Sequence, residues 1–387
     1  MKENLLQYDT AYPSIADLRK GARKRMPKFA FDYLEGGCNE EVNLRRNMSD
    51  FTDICLMPHY LRKHQGVDMR TKLFGHQYDA PFGIAPIGLQ GMMWPKAPEI
   101  LAKAAAKHNI PYILSTVSTS SIERIAELSD GKAWFQLYHP AEQSLRDAIL
   151  ARLSAVQCPV LVVLVDVPSF GLRYREIKSG LSMPPKVNLR NFFQAAAHPA
   201  WSYETLRAGI PEFATLKPYM SAGFNIKKLG KFMNATFIGR VDADKVGSIR
   251  DKWKGKLVLK GVVSEEDMEK AIGLGVDGVI VSNHGGRQID AGESSIASLK
   301  RLAKGYGDSI TIMLDGGLRS GPDVARAMAC GAHFAFMGRP FMYGVGALGR
   351  KGGEHTIALL KTQLKQVMEQ VCCEKIADFP STVISTP

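Results

Sequence analysis

The sequence predicts an α/β fold, a (β/α)8 (TIM) barrel with a helical segment before its first strand and a long insertion between its fourth and fifth strands. Three observations carry that expectation. Eight short apolar runs recur along the chain, each followed by a segment of helical character, the alternation of parallel strands covered by helices. The first run lacks the glycine fingerprint of an open, dinucleotide-binding sheet, since Gly88 leads into LQGMMWPKAPE. Polar and charged residues collect at the C-terminal ends of the runs, where a closed barrel places its chemistry.

Residues 1–80 precede the first strand and read as helices closing the bottom of the barrel. The strands are PFGIAPIG (81–88), YILST (112–116), AWFQLY (133–138), PVLVVLVDV (159–167), KLVLKGV (256–262), GVIVSNHG (278–285), TIMLDGG (311–317) and FAFMGR (334–339). Runs this apolar are strands covered on both faces. Between them, SEEDMEKAIGLG opens on Ser264 with acidic residues in its first turn and closes near Gly273 and Gly275. SGPDVARAMACGA has Ser320 as its cap and Pro322 in the first turn. Residues 168–255 form an insertion far longer than a usual βα loop.

With 387 residues and 45% hydrophobic content, the chain suits one large barrel domain over 1–387. It has no uncharged apolar run of about eighteen residues, so no transmembrane helix is expected. The N-terminal stretch has no apolar signal core and carries acidic residues, which predicts a cytoplasmic chain. Cys38, Cys55, Cys158, Cys330, Cys372 and Cys373 show no metal-type spacing and read as reduced thiols; no metal is expected. The formal charge is +12, and residues 168–232 alone hold ten Lys/Arg against three Glu, a net +7. Such a patch fits nucleic acid, an anionic membrane or a solvated face. No helix-turn-helix, zinc-finger or RNA-binding signature accompanies it, so nucleic acid is set aside. The segment interleaves its charge with Phe192, Phe193, Trp201, Tyr203, Phe213, Tyr219, Phe224 and Phe232. Aromatics anchor at headgroup level and basic residues are drawn to anionic lipid, so a peripheral place on the inner face of the cell membrane is expected. The competing reading is a covering loop with buried aromatics and solvated charges.

Taken together, the strand ends describe one site. The first run ends at Pro86, Ile87 and Gly88, and the second at Ser115 and Thr116. The third gives Gln136 and Tyr138, the fourth Asp166, the fifth Lys260. The sixth gives Ser282, His284 and Arg287 in SNHGGRQID. The seventh and eighth give Asp315, Gly316, Gly317 and Arg319, then Gly338 and Arg339. The last two turns pair glycines with an arginine each, as a phosphate-bearing cofactor across the barrel top requires. Lys260 suits either a Schiff-base nucleophile or a fixed cation beside a cofactor ring. Oxidation of a hydroxy acid needs a base for the carbinol proton and a cation for the carboxylate, which His284 and Arg287 supply. Asp166 can stabilise the imidazolium that forms.

These residues resemble the FMN-dependent 2-hydroxy acid dehydrogenase and oxidase family, with SNHGGRQID its most specific signature and MPKFAFDYLEGG and FMGRPF further matches. The resemblance implies FMN at the barrel mouth, His284 as catalytic base with Asp166 as its partner, and Tyr138 on the substrate hydroxyl. It makes Arg287 and Tyr33 clamps on the substrate carboxylate, with Arg173 as a second, mobile cation. Lys260 would stabilise charge near the flavin N1 and C2 oxygen. Ser115, Gln136 and Ser282 would hold the ring and ribityl chain, and Arg319, Gly338 and Arg339 the phosphate. Pro86, Ile87, Gly88, Asp315 and Gly317 complete the cofactor set. It also implies a homotetramer. Val117 stands where glycolate oxidase has tryptophan, and Leu164 replaces a usual threonine. LSTVS, APIGL and RYREIKSGLS are closer to the quinone-linked L-lactate dehydrogenases. Val117, Leu89 and Phe170 form an apolar wall suited to lactate or a larger side chain. The expected reaction is oxidation of an L-2-hydroxy acid to the 2-oxo acid, with quinone or oxygen as final acceptor. The alternatives are an aldolase or isomerase using Lys260 covalently, and a membrane-associated scaffold without turnover.

Overall fold

The computed structural model describes residues 9–180, 189–209, 211–220, 232, 236, 237 and 239–384. A short antiparallel hairpin comes first, β1 (Thr71–Leu73) and β2 (His76–Tyr78). Eight parallel strands follow: β3 (Phe82–Ile84), β4 (Ile113–Ser115), β5 (Trp134–Tyr138), β6 (Val160–Leu164), β7 (Lys256–Val262), β8 (Gly278–Val281), β9 (Thr311–Asp315) and β10 (Phe334–Met337). Each falls within one of the eight apolar runs. Their order is β3-β10-β9-β8-β7-β6-β5-β4, and a bridge between Ile84 and Tyr112 brings the ends together as a (β/α)8 barrel. Ser264 and Ser320 cap their helices as the sequence predicts, each hydroxyl accepting from the amide three residues on.

Alternation along the strands separates two cores. Ile113, Trp134, Val160, Val162, Val258, Ile280, Met313, Phe334 and Phe336 fill the barrel interior. Their neighbours Leu114, Phe135, Leu161, Leu257, Val279, Ile312 and Ala335 pack outward against the helices. Following the inward positions toward the C-terminal ends leads from these apolar layers to Ser115, Gln136, Tyr138, Lys260 and Asp315, all in strands of the barrel. The interior turns polar only in its top layer.

Within residues 1–80 it is not the helices that close the bottom as expected. The hairpin does: Tyr78 and Phe74 stack on Phe334 and Trp134, near the strand starts, and the Trp134 indole donates to the Tyr78 hydroxyl at 3.2 Å. Helices α2 (Lys28–Glu35) and α3 (Val42–Thr52) gather instead around the strand tops, and α1 (Ile15–Arg25) lies along the Arg339–Leu348 helix. The reason lies in α2, whose last carbonyls lack helical partners. Tyr33 and Leu34 there, with Gly36 just beyond, accept from Arg287 and Arg339, cations well placed at a helix C-terminus.

The insertion is divided in character. Trp201 and Phe213 are buried, the Trp201 indole donating to the Met93 carbonyl, while Tyr219 and Phe232 pack partly against the core. Leu189, Phe192 and Phe193 on the Leu189–Ala196 helix, and Tyr203 and Leu206 on the Pro199–Ala208 helix, face out. Lys186, Phe224, Lys227, Lys228 and Lys231 lie outside the described residues.

Candidate active site

At the top of the barrel a cleft of about 1270 Å³, mouth included, collects residues from nearly every strand end. His284, Tyr138, Lys260, Tyr33, Arg173 and Arg287 line it, as do Pro86, Ile87, Gly88, Asp315, Gly317, Arg319, Gly338 and Arg339. Four expected residues stand behind this lining. Asp166 touches His284, Ser282 touches Lys260, and Ser115 and Gln136 are buried in register on β4 and β5. Leu89, Val117 and Phe170 make part of an apolar wall, to which Met93 and Phe213 add.

His284 opens a turn of three left-handed residues, with φ of 57°, 64° and 73° through Gly286. Glycine is needed at 286 twice over, because a Cβ there would stand 2.6 Å from the Leu44 amide nitrogen. The turn is fixed from below. Asn283 is buried and bonded to Asn43 and Asn47 of α3 at 2.7 Å each, and its oxygen accepts from the Gly286 amide. On the other side, Gly261 (φ +107°) sits at an irregularity in the β7–β8 pairing, and a Cβ there would meet the Asp166 Cβ at 2.4 Å. Its bare backbone lets Asp166 approach His284.

The Asp166 carboxylate and His284 Nδ1 are 3.0 Å apart. Burial works to raise the Asp166 pKa, yet His284 and Lys260 outweigh it and the carboxyl stays below its usual range. An ionised carboxylate only accepts, so the imidazole hydrogen belongs on Nδ1 and Nε2 keeps its lone pair. Burial, aided by Lys260 and Arg173, lowers the His284 pKa despite Asp166. The imidazole is therefore neutral at neutral pH and able to take a proton.

Lys260 is buried, with Ser282 Oγ and Asp315 Oδ2 each 2.8 Å from Nζ. Burial would lower its pKa, but Asp315 and Asp166 more than offset this and raise it. A lysine held as ammonium is a fixed cation and not a Schiff-base nucleophile. The contacts with Ser282 and Asp315 favour the fixed-cation reading of Lys260 over the covalent one.

The fit of a flavin mononucleotide rests on two features. Arg319 and Arg339 have no ion pair among the described residues, and burial, with Arg319 and Arg287 close by, pulls Arg339 down to about 9. Two such cations call for an anion of the phosphate type. Asp315 Oδ1 is buried without a hydrogen-bond partner, and a ribityl hydroxyl could donate to it. The donors of Lys260 and Ser282 lie between these groups and His284. The residues present fit the cofactor.

Sequence reading missed Glu176. It lines the cleft, is 5% exposed, and bonds Arg287 at 2.6 Å and Arg173 at 3.4 Å. The signal was its i,i+3 spacing from Arg173 in RYREIK, hidden inside a stretch read for its net charge. Asn43 and Asn47 were missed too, as polar positions on an otherwise ordinary helix.

Comparison with known proteins agrees with this geometry. The model of the FMN-dependent dehydrogenase family matches residues 22–386. The L-lactate dehydrogenase of Caulobacter vibrioides (strain NA1000 / CB15N) is 36% identical over 373 residues, covering 96% of this chain and 97% of that protein. That of Pectobacterium atrosepticum is 36% identical over 366 residues, covering 94% and 95%. The structure of the monotopic membrane protein (S)-mandelate dehydrogenase superposes with a TM-score of 0.90 at 31% identity, covering 96% of this chain and 99% of that one. A TIM barrel with an arginine-lined cleft at its top, matched over almost its whole length to lactate and mandelate dehydrogenases, places this chain in the FMN-dependent 2-hydroxy acid dehydrogenase family.

Proposed function

We propose that the enzyme oxidises an L-2-hydroxy acid with an apolar side chain to the 2-oxo acid and passes the electrons to a membrane quinone. The observation that carries this reading is the His284 imidazole, oriented by Asp166 at 3.0 Å, in one cleft with two guanidiniums. Arg287 and Arg173 hold the substrate carboxylate, and Tyr33, whose ring lies 4.9 Å from the Arg287 guanidinium carbon, keeps Arg287 flat against the wall. Tyr138 hydrogen-bonds the carbinol oxygen. His284 Nε2 takes the proton that leaves the carbinol, and Asp166 stabilises the resulting imidazolium. Arg319, Arg339 and Gly338 would hold the FMN phosphate, and Pro86, Ile87, Gly88, Ser115, Gln136, Ser282, Asp315 and Gly317 the rest of a cofactor that would supply the two-electron acceptor. Lys260 would offer it a fixed positive charge. The wall of Leu89, Met93, Val117, Phe170 and Phe213 excludes water and receives the side chain.

The exposed apolar face of Leu189, Phe192, Phe193, Tyr203 and Leu206 supports the choice of a lipid-soluble acceptor, since it suits docking on a membrane. The test is anaerobic mixing of the holoenzyme with a panel of 2-hydroxy acids, followed by re-oxidation with a quinone analogue or with oxygen. Bleaching of the flavin by L-lactate-like acids and faster re-oxidation by the quinone are expected. A flavin left oxidised by every L-2-hydroxy acid overturns the reading.

A further inference from the structure

Two guanidiniums reach into the cleft, and between them stands a carboxylate that the proton transfer does not use. Arg287 carries five N–H groups. Its Nη1 donates to the Tyr33 and Gly36 carbonyls at 2.9 and 2.8 Å, and its Nη2 to Glu176 at 2.6 Å. Nε and one Nη2 hydrogen take no part in these bonds and are donors that can meet a carboxylate. Arg173 is fastened differently. Its Nε donates to the Arg287 carbonyl at 3.2 Å and its Nη2 to the Gln288 side chain at 3.1 Å, while its Nη1 stays 3.4 and 3.5 Å from the two Glu176 oxygens. Glu176 thus grips Arg287 closely and Arg173 loosely.

We propose that Glu176 is a positioning residue for the substrate carboxylate, an internal anion that aims the Arg287 guanidinium and limits how tightly the arginine pair holds an incoming acid. This rests on the proposed reading that Arg287 and Arg173 bind that carboxylate. Two buried cations side by side repel each other, and Arg173 feels it: burial and then Arg287 lower its pKa. One carboxylate between them leaves a single net positive charge, the complement of one monoanionic substrate. It also fixes the Nη2 end of Arg287, the end that the Tyr33 and Gly36 carbonyls on Nη1 do not hold. The short helix Tyr174–Ser179 places Glu176 in its first turn, three residues after Arg173, so one segment carries both the looser cation and the anion between.

A residue of this kind has an unusual signature, because charge and aim pull in opposite directions. Removing the charge without changing the shape should tighten anion binding while slowing reaction. The test uses holoenzyme with FMN bound, oxalate as an unreactive anion read by the flavin spectrum, and anaerobic flavin reduction by the best hydroxy acid of the panel. Glu176→Gln should bind oxalate about fivefold or more tighter, since a buried cation pair is left under-neutralised. Its limiting rate of flavin reduction should fall about tenfold or more, since the carboxylate is no longer held in one orientation. Glu176→Asp keeps the charge on a shorter arm, so oxalate affinity should return to within about twofold of wild type with the reduction rate between the two. Wild-type values for both quantities in Glu176→Gln, or weaker oxalate binding, overturn the proposal. If Glu176→Gln does not yield flavin-bound protein, Glu176→Asp decides: a wild-type reduction rate overturns the proposal, and a slower one at unchanged oxalate affinity supports it. Arg287→Ala separates the two readings. Loss of oxalate binding there keeps the arginine clamp whatever Glu176 does, whereas unchanged binding removes the clamp and the role of Glu176 with it.

Discussion

His284 combines a buried position, a lowered pKa and a carboxylate on its far nitrogen. His284→Ala is therefore expected to keep FMN and to lose flavin reduction by about three orders of magnitude or more, within the range ascribed to a positioned base. Rapid mixing checks this, and a rate within about tenfold of wild type would sink the assignment. The sign of the pH dependence follows from the same residue. Its pKa lies below the ordinary imidazole value of about 6.5, so the neutral form already dominates at pH 7. The second-order rate of flavin reduction should rise with pH through a His284 pKa below the ordinary imidazole value and level off above it; an inflection on the alkaline side would contradict it. Arg287→Lys preserves charge but loses the planar fork, and both substrate binding and reduction should weaken, each read in a substrate titration of the reduction rate. His284, Arg287 and Lys260 were legible because polar residues at the ends of apolar runs have few purely structural reasons to be there. Glu176 was not, because a carboxylate in a basic stretch looks the same whether it faces water or two buried arginines.

Among the elements, the polar top layer depends on backbone detail at the strand ends. Gly261→Ala would force a Cβ into Asp166 at a φ of +107°, and the strain costs about 1–3 kcal/mol. Its melting temperature should drop, and flavin reduction should slow because Asp166 is pushed from His284. A variant melting and reacting as wild type would show that the strand end relaxes freely. The eight strands were readable in the sequence because both faces of each are buried, which demands unbroken apolar runs. The placement of α1–α3 was not. Their sequence says that each has an apolar face, but the carbonyls at the end of α2, meeting Arg287 and Arg339, and the Asn43 and Asn47 side chains of α3, meeting Asn283, decide which end of the barrel α2 and α3 cover. The hairpin escaped notice for the opposite reason, being three residues per strand with one apolar plug, Leu73, Phe74 and Tyr78.

For the molecule as a whole, surface character determines where it works. No helix among the described residues is long and apolar enough to cross a membrane, but the Leu189–Ala196 and Pro199–Ala208 helices expose a row of large apolar side chains beside Arg190 and Arg207. The protein should co-sediment with anionic vesicles at low salt and less so at high salt, since surface charge is screened over about 10 Å at 0.1 M salt. Replacing Phe192 and Phe193 by serine should weaken that binding and leave flavin reduction unchanged. An intact protein that stays in the supernatant with anionic vesicles refutes the docking. Exchanging the whole insertion for a linker would confuse the issue, because Phe213 and Arg173 belong to the cleft wall. The stacked hairpin at the other end of the barrel has a kinetic corollary. With Tyr78 and Phe74 capping a filled barrel interior, the cleft opens, among the described residues, at the barrel top. A hydroxy acid and an electron acceptor that share that mouth come and go in turn, so initial-rate plots at several acceptor concentrations should run parallel, each half-reaction finishing before the next begins.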